Sequence, residues 1–454
     1  VAFSNSIWET ATLVEVYGLN ALLLVSLLYF TFPQFDKPLD EQKVAVPVSL
    51  EAFALGSHLT SACMLPLTAF RWFQSARATR QWYVLIFFLI FLPVFIFGLL
   101  YGFLYLRAGA SPPINWGNPS TIENLLWMIR GGDYRQTQFM QVAPGRTFTA
   151  GQYAAFLMDR AWMLFTWHGG QMIAPLKNIG FLALLLGLPV HLTIVAGIVR
   201  CLRKYGKLGL ILLAPPALQL LFILTYNIPD IRDYFIGFWI TLLPFMAIGI
   251  RIGLDRLRAK LGFLSDEDFK VRLNILSAFL VMLIFAGNFG YSSRAGDALA
   301  DIWIENAVAA IPGDAVVLTH SDYDTYGLWY ARHVREKRTD LLIVGGNFLR
   351  NKWYETMLPK NDPLGRAVAV SPGSFRDFTL QDHVAMLREN VIEPNLPNVP
   401  IVTTSGPPDL MRELERYYKL VPVAQLLTEE QLIYMAERYP TIAPPALFRI
   451  EARR

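Results

Sequence analysis

The chain has 454 residues, of which 54% are hydrophobic, 13% aromatic and only 17% charged, with a mean hydropathy of +0.36. A soluble protein of this size carries a larger charged fraction, so composition alone places the chain among polytopic membrane proteins. The net charge of +4 does not imply nucleic acid, because the basic residues fall in short loops between apolar runs. Cys63 and Cys201 are its two cysteines, which argues against a disulfide framework.

The chain opens on Val1 in mid-pattern and shows no signal peptide, so a preceding segment is expected. Runs long enough to cross about 30 Å of hydrocarbon lie at 12–32, 84–106, 179–199, 208–226, 234–254 and 274–289. The stretch 46–73 is long for one span and short for two. Gly56, Ser57, His58 and Thr60 interrupt it, which predicts two short helices, or a re-entrant pair, meeting at His58.

Arg71, Arg77 and Arg80 fill one short loop, Arg200, Arg203, Lys204 and Lys207 a second, and basic residues from Arg251 to Arg272 a third. A cytoplasmic position for all three places 107–177, the 227–233 turn and everything after Tyr291 outside. With 46–73 read as a helix pair, residues 1–10 lie outside too.

The pattern changes at residue 292. Short apolar runs at 315–318, 341–344 and 401–404 read as buried strands, with helical patterns at 298–310, 325–334, 380–391 and 410–418. The expected architecture is a polytopic α-helical membrane domain over 1–291, with an outer loop at 107–177. A small exoplasmic α/β domain with a mainly parallel sheet follows over 292–454. No Gly-rich phosphate loop follows any strand, so a dinucleotide site is not expected.

Four polar clusters fall on the outer side. The first, WETATLVEVYGLN, holds Glu9, Glu15, Tyr17 and Asn20; Glu15 sits about a turn into an apolar run, where a carboxylate is costly and points at a cavity or a partner. The bland alternative is an interfacial Glu that reaches water or an Arg. The second, 111–135, is turn-rich and contains Trp116, Asn118, Arg130, Asp133 and Tyr134. Leu125, Leu126, Met128 and Ile129, with Trp127, would let its helix lie along a membrane surface, covering something there or merely anchoring the fold.

The third, YNIPDIRDY, carries Asp230, Arg232 and Tyr234 at the lipid edge, where an Arg can bind a lipid phosphate or simply pair with its Asp neighbours. The fourth, Ser321 to Thr325, is more simply a helix cap than a ligand site. His58, His168 and His191 have no metal-ligand spacing, and no metal site is expected; His191 reads as a helix-packing donor.

Several of these segments, in order WETATLVEVYGLNALL, LGSHLTSACMLP, INWGNPSTIENLLWMIRGGDY, YNIPDIRDYF, HSDYDTYGLWY, TDLLIVGGNFL and WYETML, resemble the transmembrane protein 260-type family, first catalogued as a domain of unknown function. That resemblance implies a GT-C-like fold and protein O-mannosyltransferase activity. A sugar, mannose in particular, would pass from a polyprenyl phosphate to Ser or Thr of an exported protein, at the outer face of a bacterial inner membrane. The C-terminal domain would be periplasmic or extracellular.

It implies no cofactor beyond the lipid-linked sugar as co-substrate; the partners are that donor, membrane lipid and the acceptor protein. Arg232 and Tyr234 would bind the donor phosphate, with Glu9 and Glu15 as supporting acids. Tyr17, Asn20, His58, Trp116, Asn118, Arg130, Asp133, Tyr134 and Asp230 would form the surrounding site. The main base is expected in a loop upstream of Val1, so the chain by itself is expected to lack full activity, and Gly237 stands where the family pattern has Pro. A transporter or lipid-handling protein, or a non-catalytic scaffold with an exported binding domain, are the competing readings.

Overall fold

The computed structural model describes residues 5–12, 16–32, 41–80, 82–83, 86, 90–91, 94–132, 141–143, 146–147, 149–172, 180–228, 231–263, 265–362, 364–373, 378–438 and 446–453. Glu15, Asp133, Tyr134 and Asp230 lie outside the described residues. The chain divides into two compact units, one of Val1–Phe103, Thr137–Val142 and Thr147–Arg294, the other of Leu104–Gln136, Ala143–Arg146 and Ala295–Arg454. Residues 104–136, grouped by sequence with the first domain, thus cluster with the second.

The first unit is helical. It contains α1 (Asn5–Thr12), α2 (Val16–Thr31), α3 (Glu41–Ser57) and α4 (Leu65–Thr79), then the start of the apolar helical run Val94–Gly109, whose last part, α5 (Gly102–Gly109), passes into the second unit at Leu104. After α6 (Ile122–Ile129), which belongs to the second unit, come α7 (Ala150–Met172), α8 (Gly180–Tyr205), α9 (Lys207–Thr225), α10 (Ile231–Thr241), α11 (Leu243–Lys260) and α12 (Asp266–Ser292). Among the described residues α8, α9 and α12 are each long and apolar enough to cross a membrane, the mark of a membrane protein.

The run read at 234–254 as one span is instead broken: α10 and α11 meet at Leu242 with a bend of 52°. Pro244, in the first turn of α11, has no amide hydrogen to continue the ladder of the preceding helix. The stretch 46–73 is also split: α3 ends at Ser57, two turns of 3₁₀ helix span Leu59–Met64, and α4 follows. His58 is the extended residue between them, as the polar interruption predicted. Arg71 is not in a loop; it lies in α4, fully buried, and donates to Gln74 Oε1 at 2.6 Å. The loop reading failed because a hydropathy pattern cannot separate a solvated Arg from one whose charge is met inside the protein.

Small residues set the helix crossings. A Cβ on Gly197 of α8 would lie 1.8 Å from the Phe245 carbonyl oxygen, and one on Gly249 of α11 would lie 1.9 Å from that of Thr193. The two backbones therefore touch directly, the close approach that drives helix association where lipid removes the hydrophobic incentive.

The second unit is built on a five-stranded sheet of order β4-β3-β5-β7-β6, where β3 is Val316–Thr319, β4 Leu342–Gly345, β5 Ile401–Thr404, β6 Tyr418–Ala424 and β7 Leu447–Ala452; β1 (Gln141–Ala143) and β2 (Arg146–Thr147) are short strands earlier in the chain. The three apolar runs are indeed strands, pair in parallel and are buried at every position. The sheet is mixed rather than mainly parallel, because β7 joins β5 and β6 antiparallel. These two strands bury only alternate or scattered positions, so no continuous apolar run announces them.

Helices α13 (Leu299–Ala310), α14 (Asp322–His333), α15 (Lys352–Met357), α16 (Leu380–Leu387), α17 (Pro408–Tyr417) and α18 (Glu429–Arg438) complete the unit. Arg366 is its internal tie. It bonds Asp362 Oδ1 at 2.8 Å with both side chains buried, and Nη1 donates to the carbonyls of Asp314, Ala315 and Asp340 at 3.0, 3.1 and 2.8 Å.

Two substitutions test this packing. Gly197→Val is expected to abolish the α8–α11 crossing and the yield of folded protein in detergent, whereas Gly253→Ala, with open space around its Cβ, leaves thermal stability unchanged. Arg366→Ala leaves Asp362 buried and unpaired, and a loss of about 3–5 kcal/mol is expected from hydrogen exchange at the β3 amides.

Candidate functional site

The break at His58 exposes backbone groups that an apolar environment cannot satisfy, and the structure meets that need with side chains. His58 Nδ1 accepts the Thr60 amide at 3.4 Å and lies 2.6 Å from Thr60 Oγ1. From α9, Gln219 Nε2 donates to the Thr60 carbonyl at 3.2 Å. From the 3₁₀ helix, Ser61 Oγ donates to Asn20 Oδ1 on α2 at 2.6 Å.

Around this lattice lies a small, partly open pocket of about 10 Å³, lined by Tyr17, Asn20, His58, Thr60, Asp233, Tyr234, Ile236 and Gly237. Three of its rings touch one another: Tyr17 and His58 have centroids 5.4 Å apart, Tyr17 and Tyr234 5.6 Å, and His58 and Tyr234 5.3 Å. Tyr226 and Phe222 buttress Tyr234 at 5.4 and 5.5 Å. Gly237 keeps the wall open, since a Cβ there would meet the Gln219 amide nitrogen at 3.1 Å. That contact supplies a local reason for glycine at this position.

Tyr17, Asn20, His58 and Tyr234, chosen from three separate segments, thus share one pocket. Thr60, Asp233, Ile236 and Gly237 were not chosen. Their signal was the helical register of α10, in which Asp233, Tyr234, Ile236 and Gly237 fall on one face. Arg232, next to this face, is exposed and lies over the Trp167 ring at 5.9 Å.

Other candidates lie elsewhere. Glu9 Oε1 is 3.7 Å from Arg294 Nη2, and the neighbouring Trp8 stacks on Phe285 at 5.3 Å, so α1 is tied to α12. His191 reaches the Leu164 carbonyl at 3.1 Å, joining α8 to α7 as its sequence context predicted. Trp116, Asn118 and Arg130 belong to the second unit. Trp116 packs there against Phe348 and Trp353, both at 4.9 Å, and Asn118 is a hub of the turn, accepting from Asn115 at 3.0 Å and Ser120 at 2.9 Å. Among the described residues no three His, Cys, Asp or Glu side chains could share a metal ion.

In the second unit the Ser321–Thr325 segment is a helix cap: Ser321 and Asp324 form a capping box for α14. Buried Asp324 also accepts the Thr404 hydroxyl, tying the cap to β5. His320, just before it, is buried, and its Nε2 lies 2.9 Å from Thr403 Oγ1. Burial pushes its imidazole down to about 4, against the opposing pull of Asp324. The unfolded chain binds this proton near pH 6.5 and the folded chain only near 4, so stability is fully present above 6.5 and falls as the pH drops through that window. The β3 amides are expected to lose about 2 kcal/mol of exchange protection between about pH 7 and 5, a slope that His320→Gln removes.

Residues 303–370, from within α13 to beyond α15, match the family described as TMEM260-associated domain 2. No curated protein and no solved structure matches the chain. The second unit is therefore similar, over the β3–β4 half of its sheet, to a domain associated with transmembrane protein 260-type proteins.

Proposed function

We propose that this chain is a membrane glycosyltransferase that moves a sugar, mannose in particular, from a polyprenyl phosphate to a Ser or Thr hydroxyl of an exported protein. The observation that carries this reading is the pocket of Tyr17, His58 and Tyr234 rings with Asn20, Thr60 and Asp233 among otherwise apolar helices. An aromatic face suits the C–H face of a sugar ring, and the amide, hydroxyl and carboxylate groups suit its hydroxyls. A bilayer-anchored donor needs its site in a membrane unit, and exposed Arg232 beside Asp233 offers a cation to the lipid phosphate.

In the reaction the acceptor oxygen bonds to the anomeric carbon and the carbon–oxygen bond to phosphate breaks. The phosphate leaves with the electron pair, and the hydroxyl proton passes to a carboxylate. Asp233 holds the sugar, and Arg232 stabilises the leaving phosphate. The similarity of residues 303–370 to TMEM260-associated domain 2 supports the same reading.

The test is transfer of radiolabelled mannose from polyprenyl phosphate by the full-length protein in membranes. Asp233→Asn and Arg232→Ala are each expected to lower transfer roughly ten- to hundredfold, the worth of one hydrogen bond to a charged group. The Arg232 effect is expected mainly in kcat, because the charge it meets grows as the phosphate leaves. Absence of transfer by the wild type from any polyprenyl-phosphate sugar overturns the enzyme reading; wild-type activity in both variants overturns the assignment of the pocket.

A further inference from the structure

The turn between α5 and α6 holds those two helices in a fixed relation. Asn115 Nδ2 reaches back to the Ala108 carbonyl of α5 at 3.3 Å and sideways to Asn118 Oδ1 at 3.0 Å. Asn124 Nδ2 of α6 donates to the Asn118 carbonyl at 2.8 Å. Asn118 sits at φ 42° and Gly117 at φ 69°, left-handed conformations that Asn and Gly tolerate best. Gly117 also lets Met128 and Trp127 of α6 lie against the turn. The turn is bonded to the sheet-bearing body as well, where Asn361 Nδ2 donates to the Pro113 carbonyl at 2.7 Å and Trp116 enters the core. It is a bracket with three arms.

What the bracket presents is uncovered and mainly apolar, with exposed Glu123 in the first turn of α6. None of the residues of α6 is buried, and Ile122 (69% exposed) and Leu126 (38%) face outward one helical turn apart, with exposed Trp127 beside them. The last turns of α5 are equally bare, with Leu106 at 73% exposure. These residues close the apolar helical run Val94–Gly109 of a chain with membrane-crossing helices, and the turn leads from that run directly into α6. Arg130, exposed at the end of α6, is placed where a long basic side chain reaches lipid phosphate.

We propose that the outer face of α6, together with the end of α5, is a bilayer-docking surface that seats the α/β body on the membrane at a set height. The occupant is lipid. The helix lies in the plane of the interface, its apolar face about 5–10 Å into the boundary between headgroups and acyl chains. Asn115, Asn118 and Asn124 transmit that position to the body through the bracket.

The experiment uses the whole chain in vesicles of phosphatidylcholine and phosphatidylglycerol, with Cys63→Ser and Cys201→Ala. Nitroxide labels are placed singly through Ile122→Cys and Leu126→Cys, with Met282→Cys on α12 as lipid reference and Glu430→Cys on α18 as water reference. The expected result is that labels at 122 and 126 follow 282, with high collision rates with oxygen and loss of access to a water-soluble nickel chelate. Labels that follow 430 overturn the proposal. So does spin–spin broadening at 122 or 126 that disappears on dilution with unlabelled chain, which assigns the face to a second copy. Two label positions one turn apart keep the test open if either substitution disturbs folding.

Discussion

A polar backbone group in apolar surroundings must find its partner inside the protein, and the helical unit is arranged around one place where that demand is acute. Between α3 and α4 the chain leaves the α-helix at His58; there the Thr60 amide is met by His58 and its carbonyl by Gln219, while the Ser61 hydroxyl bonds Asn20. These answers come from α2, α9 and the break itself. Satisfying the break therefore gathers polar side chains from distant parts of the chain. The pocket of Tyr17, His58 and Tyr234 is a consequence of that gathering, with α10 as its remaining wall.

The same demand is met differently in the sheet-bearing unit, where buried charge is matched by charge and carbonyls. Arg366 pairs with Asp362 and ties together the starts of β3 and β4 through the Asp314, Ala315 and Asp340 carbonyls. Asp324 joins the cap of α14 to Thr404 on β5. Such ties hold where every member is bonded, because a single unpaired charge at these positions costs several kcal/mol. Trp116 adds an aromatic anchor to this unit; the segment that carries it holds the body and offers its own apolar face.

Legibility followed the physics of each segment. The parallel strands β3, β4 and β5 are buried on both sides, so their residues are apolar without interruption and were visible as runs. Strands β6 and β7 were not, since an antiparallel edge with Pro422 and partial burial leaves no run to see. His58 was visible as a break because polar residues rarely interrupt an apolar stretch without cause. Asp233 was passed over in favour of Arg232 and Tyr234, although all three are adjacent. Only the direction of each side chain, set by where α10 starts and what it packs on, separates the pocket residue from the exposed one.

Local pattern by itself determined the membrane character of the chain, the break at His58, the α/β character of its end and the helix-capping role of Ser321. Each depends on neighbours within a few residues, through hydropathy, turn chemistry or hydrogen bonds that a short segment makes with itself. The tertiary structure decided the rest: which of the polar residues meet, that α10 and α11 bend apart at Leu242, that Arg71 is interior, and that Trp116 serves the α/β core. Those outcomes depend on contacts between segments far apart in the chain. Composition and periodicity carry no term for them, because a side chain's partner across a helix crossing is set by packing geometry and not by its place in the sequence.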